Sequence, residues 1–321
     1  MRAFACPTCS QLVFFENTAC LNCGTELGFR WPERELGALD GPRCANLETA
    51  ACNWVAASPG ELCFSCRLTR TRPADDDVAG LAALRSAEAA KRRLLFELGE
   101  LGLPIEGLGF DLLSSESQAV TTGHVNGVVT LDLAEADDPH RERMRQELGE
   151  PYRTLLGHFR HEVGHFYFTV LAADEERRER ARTLFGDERA DYQEALDRHY
   201  AEGPPAGWQE RHVSAYATVH PAEDWAETFA HYLHMRDGSQ TAAAYGLELH
   251  GPDLPAGDAF AASPRDAPGS FDEIVAAWLS LSYAMNAINR SMGRDDLYPF
   301  VLAPAVVDKL RLVHELVSET R

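Results

Sequence analysis

The stretch His161-Glu162-Val163-Gly164-His165 has the spacing of a metal-binding motif on a helix. Residues four apart share one face of a helix, so His161 and His165 can bind one metal ion with Glu162 beside it. Imidazole nitrogens suit zinc, and a zinc ion with three protein ligands keeps a fourth position for water. Zinc lowers the pKa of that water to about 7, and Glu162 is placed to accept its proton. The motif therefore predicts a hydrolytic zinc site on a helix, for which a third ligand must be found.

A third histidine at the metzincin spacing is absent, because the relevant positions hold Phe168 and Leu171. The other source of a ligand is a carboxylate on a second helix, and Glu223 and Glu227 lie four residues apart in one such segment. We predict that Glu223 binds the metal, and that Glu227 accepts the second N–H of a ligand imidazole and so orients it.

Other assignments of the third ligand remain open at this point. The two glutamates can exchange roles, Asp224 is a further candidate, and an acidic pair at a helix start also interacts favourably with the helix dipole. A histidine can replace the carboxylate, but the glutamate pair would then have no purpose. The histidines close to the segment are His220, His231 and His234.

Tyr216 precedes Glu223 by seven residues. A phenol near the metal can donate a hydrogen bond to the oxyanion that forms during amide hydrolysis. By spacing alone, a tyrosine of the protein core is the simpler interpretation.

Eight cysteines near the N-terminus predict two structural zinc sites. Cys6, Cys9, Cys20 and Cys23 form two C-x-x-C pairs with the spacing of a zinc ribbon. The next four are Cys44, Cys52, Cys63 and Cys66, of which only the last two have this form, so Cys44 and Cys52 are the weaker part of the second set. A closed four-thiolate site has no position for substrate, so its role is to fold a segment with a small core.

Aromatic residues between these cysteines have two interpretations. The simpler one is a small core of the ribbons, and the alternative is a surface on which a protein partner docks. The residues are Phe14, Phe15, Phe29, Trp31, Trp54 and Phe64.

The net charge of −20 is unevenly distributed, because residues 1–73 contain seven arginines and seven acidic side chains. The excess of acid therefore lies beyond residue 73, which argues against nucleic acid as a partner and favours a neutral or cationic substrate. The sequence has neither an apolar stretch long enough to span a membrane nor a signal peptide. We expect a cytoplasmic protein that does not bind membranes.

Composition and periodicity also predict the organisation of the chain. The polar residues 69–77 suggest a boundary between a double zinc ribbon, residues 1–73, and a second domain, residues 74–321. Apolar residues at helical spacing predict a helix over residues 81–98. Asn126-Gly127 predicts the turn of a β-hairpin whose second strand starts at Val128, and the charged stretch that follows, from Glu135, is typical of a solvated face.

Further along the chain, Pro151 suits the first turn of the helix that carries the two motif histidines. Residues 251–270 are rich in proline and glycine, which predicts a surface loop that is able to cover the cleft. Residues 271–290 and 304–317 have the pattern of amphipathic helices of the scaffold.

Taken together, the motif residues resemble the gluzincin branch of the zinc metallopeptidases. Tyr216, Glu223 and Glu227 match the spacing of the anthrax lethal factor type of catalytic domain. Nearly the whole chain resembles a bacterial family of zinc-binding metallopeptidases with an N-terminal zinc ribbon. The similar stretches are the paired C-x-x-C start, Gly127 to Asp138, His161 to His165, Phe185 to Tyr192 and Glu223 to His234.

The resemblance implies an α+β fold, with a predominantly helical zincin-like domain and a small edge sheet behind the ribbons. It implies peptidase activity with two histidines and a downstream acidic residue as ligands. Between the two ligand helices, five residues can buttress the cleft, although an ordinary ion-paired helix would have the same pattern: Asp187, Glu188, Arg189, Asp191 and Tyr192.

We therefore predict a zinc peptidase with one catalytic and two structural zinc ions, acting on a peptide or protein. His161, His165 and Glu223 hold the catalytic zinc, Glu162 is the base, and Tyr216 stabilises the oxyanion. The alternatives are a binding or regulatory protein with a non-catalytic metal site, and a zinc hydrolase of a non-peptide amide.

Overall fold

The computed structural model describes residues 1–115, 120–148, 153–253, 259–262 and 270–320. Helices and small sheets are combined, which confirms the predicted α+β class. The chain forms two compact units, one made of Arg2–Leu148 with Arg153–Glu162 and the other beginning at Val163. A domain boundary after residue 73 stays a prediction.

The N-terminal part of the first unit consists of short elements around the cysteines. These are β1 (Phe4–Ala5), β2 (Leu12–Val13), β3 (Leu27–Arg30), β4 (Glu35–Ala38), α1 (Leu47–Ala50) and α2 (Phe64–Arg67). Strands β1 and β2 form one antiparallel hairpin, and β3 and β4 form another. Such small hairpins bury little apolar surface, so they need another source of stability.

Aromatic rings supply a core for these hairpins. Phe15, Phe29 and Trp54 are buried, and the rings of Phe15 and Phe29 meet edge to face with centroids 4.8 Å apart. The predicted ribbon core is thus present for these residues, whereas Phe14 is 56% exposed.

Helix α3 (Val78–Glu100) completes that core from outside the ribbons. Its Phe96 lies with its ring centroid 5.5 Å from that of Phe15 and 6.0 Å from that of Phe29. One turn earlier, the buried Arg92 donates to the carbonyl oxygens of Ala50 (3.3 Å) and Ala51 (3.2 Å), at the end of α1. The helix predicted over residues 81–98 is confirmed, and it packs on the second cysteine segment.

A four-stranded sheet follows, with the order β5-β6-β8-β7. Its strands are β5 (Thr69–Thr71), β6 (Gly109–Leu113), β7 (Gly123–Val125) and β8 (Val128–Asp132). Strand β6 is parallel to both β5 and β8, whereas β7 and β8 are antiparallel.

The predicted hairpin turn at Asn126-Gly127 is confirmed. Both residues have positive φ, +50° and +81°, which a two-residue turn of this type requires and which asparagine and glycine adopt most easily. The prediction of a solvated face was wrong for Glu135, which is buried. Its carboxylate accepts hydrogen bonds from Arg153 at 2.5 and 3.3 Å, and this pairing compensates for the loss of water.

Two further helices belong at least partly to the first unit. They are α4 (Asp138–Leu148) and α5 (Leu155–Leu171), and α5 runs without interruption past Glu162. Pro151, the predicted helix start, lies outside the described residues.

The second unit is mainly helical. It contains the rest of α5 and then α6 (Glu175–Phe185), α7 (Tyr192–Glu202), α8 (Pro221–Ala244), α9 (Phe271–Ser291) and α10 (Pro304–Glu319). The two predicted C-terminal helices are therefore confirmed. The prediction of a loop over residues 251–270 was wrong in part, because β9 (Leu249–Asp253) and β10 (Ala259–Ala262) form an antiparallel pair there. The residues of that stretch between 254 and 258 and between 263 and 269 lie outside the description.

Among the residues that the structure describes, no helix has both the length and the apolar character needed to cross a membrane.

Helices α5 and α8 cross at Gly164. A Cβ atom at this position would lie 2.9 Å from the Cα of Ala226 and 3.1 Å from its carbonyl oxygen. The indole Nε1 of Trp225 donates to the Gly164 carbonyl at 2.9 Å, so the same crossing is fixed by a buried hydrogen bond. Only glycine at residue 164 allows the two backbones to come this close.

We expect Gly164→Ala to lower the free energy of unfolding. Alanine in a helix interior normally gains about 1 kcal/mol over glycine, but overpacking a dense contact costs about 1–3 kcal/mol. The opposing atoms belong to backbone, so the contact cannot relax by a side-chain rotation. Urea denaturation measures the change.

Gly123→Ala, at the start of β7, is a control for the added methyl group alone, because its Cβ would meet nothing within 4 Å. A stabilisation of Gly164→Ala comparable to that of alanine in an open helix would contradict the proposed constraint.

Candidate metal centre

Three groups of metal-ligating side chains come together in the described part of the chain. They are the four cysteines 6, 9, 20 and 23, the four cysteines 44, 52, 63 and 66, and His161 with His165 and Glu223. Within each group, one ligand atom from every residue lies within 4.8 Å of the others. The cysteine clusters fit zinc ribbons in donor type and number.

The first cysteine cluster is built from two similar turns. The carbonyl of Cys6 accepts from the backbone N–H of Ser10, and that of Cys20 accepts from Gly24, both at 2.9 Å. Burial opposes ionisation of Cys6, but hydrogen bonds from the backbone N–H groups of Cys9 and Thr8 outweigh it and lower the pKa of its thiol to about 6. A lowered thiol pKa favours the thiolate, which is the form that binds zinc.

The second cluster is buried throughout. The Sγ of Cys44 accepts from the backbone N–H of Cys63 at 3.2 Å and of Asn46 at 3.5 Å, and the Sγ atoms of Cys52 and Cys63 are 3.5 Å apart. Hydrogen bonds from the other three thiols lower the pKa of Cys44 far below its ordinary value. The structure therefore brings in Cys44 and Cys52, which spacing alone supported least.

The third group lies on α5 and α8. His161 and His165 are one turn apart on α5, and the Nε2 of His165 is 3.6 Å from the Oε2 of Glu223. Glu223 is only 3% exposed, and Glu162 on α5 is 8% exposed. Two imidazoles and one carboxylate form a donor set that suits zinc and leaves a coordination position for water.

The start of α8 explains why Glu223 is held in place. His220 caps the helix, its Nδ1 accepting from the N–H of Ala222 at 3.1 Å, and Pro221 occupies the first turn. The Nε2 of His220 lies 3.1 Å from the Ala190 carbonyl and donates to it, since Nδ1 is already an acceptor. Both ring nitrogens are used, so His220 does not serve as the third metal ligand.

Asp224 belongs to a separate buried network. Its Oδ2 accepts from Lys309 Nζ at 2.5 Å, and Lys309 also donates to the Arg211 carbonyl at 2.7 Å. Burial raises the pKa of Asp224 to about 7, although Lys309 opposes the shift. The geometry thus disfavours Asp224, an alternative that the sequence left open.

Further along α8, His231 is buried and its Nδ1 lies 2.7 Å from the hydroxyl of Tyr298. Burial lowers the pKa of His231 to about 4, against the charge of Glu227, which lies one turn before it. Among the described residues, neither His231 nor His234 is part of a metal-ligating group.

Tyr216 lies in a short 3-10 turn, Tyr216–Thr218, ahead of α8. Burial raises the pKa of its phenol above the ordinary value, and the negative charge of the Glu223 carboxylate adds to the shift. The phenol therefore keeps its proton and can act as a donor.

Tyr192 stands out among the residues between the two ligand helices, because its hydroxyl donates to the Oε1 of Glu223 at 3.0 Å. Asp187 pairs with Arg189, Glu188 pairs with Arg182, and Asp191 caps α7. The sequence resemblance pointed to the whole segment and contained no signal that separates Tyr192 from the rest.

An α+β fold with a histidine-carboxylate group on two helices and two cysteine clusters defines a zinc-binding metallopeptidase architecture. A family model described as "Putative zinc-binding metallo-peptidase" matches residues 81–316, and a zinc-ribbon domain model matches residues 3–43. The chain belongs to this metallopeptidase family and carries a zinc ribbon at its N-terminal end.

Relatives of similar length occur in mycobacteria. Uncharacterized proteins of Mycobacterium bovis and of Mycobacterium tuberculosis strains CDC 1551 and H37Rv are each 54% identical over 334 residues. The matches cover 99% of this chain and 96% of each relative. No solved structure matches the chain.

We expect Glu223→Ala to bind one zinc ion fewer than the wild type, because it removes one of the three side chains of the candidate metal group. Asp224→Asn should keep the full zinc content but unfold at a lower temperature, since the charge of Lys309 is left buried without its partner. Elemental analysis and thermal unfolding measure the two effects.

The opposite pattern, with zinc lost from folded Asp224→Asn and retained by Glu223→Ala, would exclude Glu223 as the ligand. Glu227→Gln tests the exchanged assignment, because an orienting carboxylate should weaken zinc binding by roughly 10–100-fold without abolishing it.

Proposed function

We propose that the chain is a zinc-dependent peptidase that uses Glu162 as its general base. The observation that carries the proposal is the grouping of His161, His165 and Glu223, with Glu162 beside one of the histidines on the same helix. A purely structural metal site has no use for such a base. The match to a family of zinc-binding metallopeptidases supports a peptide substrate.

His161, His165 and Glu223 would hold the metal. When bound there, zinc lowers the pKa of a coordinated water to about 7 and polarises the substrate carbonyl. Glu162 accepts a proton from the attacking water and later transfers it to the departing amine. A carboxylate can perform both transfers because it is deprotonated before the attack and protonated after it.

Tyr216 donates a hydrogen bond to the oxygen that gains negative charge as the carbonyl carbon becomes tetrahedral. A phenol that stays protonated remains a donor throughout the reaction. Glu227 accepts the outer N–H of a ligand histidine and fixes the plane of its ring.

The substrate is proposed to be neutral or cationic. The net charge is −20, and the N-terminal 73 residues contribute none of the excess. A negative field raises the local concentration of cationic peptides and their rate of association, and salt weakens both effects.

Glu162→Gln should retain all zinc and lose hydrolysis. The amide side chain keeps the shape of the carboxylate but cannot accept the proton. Cleavage products formed from a cell extract by the wild type and by this variant, compared by mass spectrometry, identify the bonds that depend on the base. Equal product sets would refute the mechanism, and products that lack new peptide termini would point to a non-peptide amide as substrate.

Tyr216→Phe should lower kcat by about 10²–10³-fold, as expected for the loss of one oxyanion donor. KM and zinc content should change little, because the hydroxyl acts on charge that develops only in the transition state. Steady-state kinetics on a peptide found in the extract experiment measures the split. Tyr245→Phe, a change at an exposed position after α8, is the control; a Tyr216→Phe enzyme with the wild-type kcat would contradict the role.

A further inference from the structure

The two oxygens of the Glu223 carboxylate face different partners. Oε2 is 3.6 Å from the Nε2 of His165, whereas Oε1 accepts a hydrogen bond from the Tyr192 hydroxyl at 3.0 Å. The carboxylate is almost fully buried, so solvent does not supply the second interaction. One oxygen is thus directed to the metal-ligating group and the other to a phenol.

We infer that Tyr192 is a positioning residue that restricts Glu223 to binding the metal through one oxygen. The inference rests on the proposed function, in which Glu223 is the third ligand. A carboxylate can approach a metal ion with one oxygen or with both, and a donor held at the outer oxygen favours the first mode. The coordination position that would be taken by Oε1 then stays open for water.

Tyr192 is itself fixed by the segment around it. It is the first residue of α7, directly after Asp191, whose carboxylate caps the helix by accepting from the N–H of Glu194 at 2.8 Å. The ring of Tyr192 meets that of His220 edge on, with centroids 5.4 Å apart.

His220 connects this arrangement to the ligand helix. Its two ring nitrogens bond to Ala190, two residues before Tyr192, and to Ala222, next to Glu223. The backbone segments that carry the phenol and the carboxylate are therefore both hydrogen-bonded to the same imidazole. This linkage makes the 3.0 Å contact a built feature of the fold and not the chance approach of a mobile side chain.

Tyr192 and Tyr216 consequently have different roles. Tyr192 acts through Glu223, whereas Tyr216 is proposed to contact the substrate.

The test is Tyr192→Phe, which removes one hydroxyl and keeps the ring beside His220. Tyr192 is 41% exposed, so the change removes no residue of the buried core. We expect the zinc ion of the histidine site to bind about 10–100-fold more weakly, as found when partners of metal ligands are removed. Competition with a chromophoric chelator measures the affinity, while the thiolate-bound zinc ions stay in place.

The second readout is cobalt absorption. The zinc of the histidine site is removed with a mild chelator and replaced by Co²⁺, whose visible bands weaken when the coordination number rises above four. We expect weaker bands in Tyr192→Phe than in the wild type, because the freed Oε1 joins the metal. A residue that only supports the fold would not change this spectrum. Tyr245→Phe serves as the control and should match the wild type in both measurements.

Two failures can be told apart when Glu223→Ala is measured in parallel. If Glu223→Ala loses the zinc but Tyr192→Phe has the affinity and the cobalt spectrum of the wild type, the positioning role is wrong and the ligand assignment stands. If Glu223→Ala keeps the zinc, the ligand assignment fails, and the inference about Tyr192 fails with it.

Discussion

The close contact of α5 with α8 at Gly164 is the constraint on which the histidine site depends. His165 follows Gly164 directly, and Glu223 precedes Ala226 by three residues, so both side chains of the candidate metal group lie next to the point where the backbones touch. A distance of 3.6 Å between His165 Nε2 and Glu223 Oε2 is possible only because no side chain separates the helices there. The glycine inside the motif is therefore as necessary to the geometry as the histidines are to the chemistry.

Glu223 and Asp224 are neighbours on α8, but their side chains have sharply different environments. Glu223 faces α5, whereas Asp224 is turned by about 100° around the helix and meets Lys309. The Asp224–Lys309 pair is buried and anchors the start of α8 to α10. Of the two acidic residues at this helix start, Glu223 thus belongs to the metal-ligating group and Asp224 is the anchor.

Much of the fold could be predicted from sequence because its signals are local. The helix of residues 81–98, the Asn126-Gly127 turn and the two C-terminal helices follow from periodicity and turn chemistry within a few residues. The first cysteine cluster is likewise predicted by a local signal, its two C-x-x-C pairs. The grouping of the two motif histidines with Glu223 was anticipated from the chemistry of their donor atoms.

The contacts that sequence could not reveal join residues far apart in the chain. Tyr192 meets Glu223 across 31 positions, and Asp224 meets Lys309 across 85. Glu135 lies in a charged stretch that is typical of solvent, yet Arg153 allows its burial. In each case, a polar residue takes its environment from a partner that no local pattern indicates.

The packing of α3 against the ribbons has a consequence for how such proteins evolve. Phe96 shares one aromatic core with Phe15 and Phe29, and Arg92 closes the end of α1. A ribbon attached in this way cannot be gained, lost or exchanged as an independent domain. Without it, α3 would be left with an exposed apolar face at Phe96, and Arg92 would lose its carbonyl partners. Lineages that keep the helix are expected to keep the ribbon, and changes on either side of this core should arise in pairs.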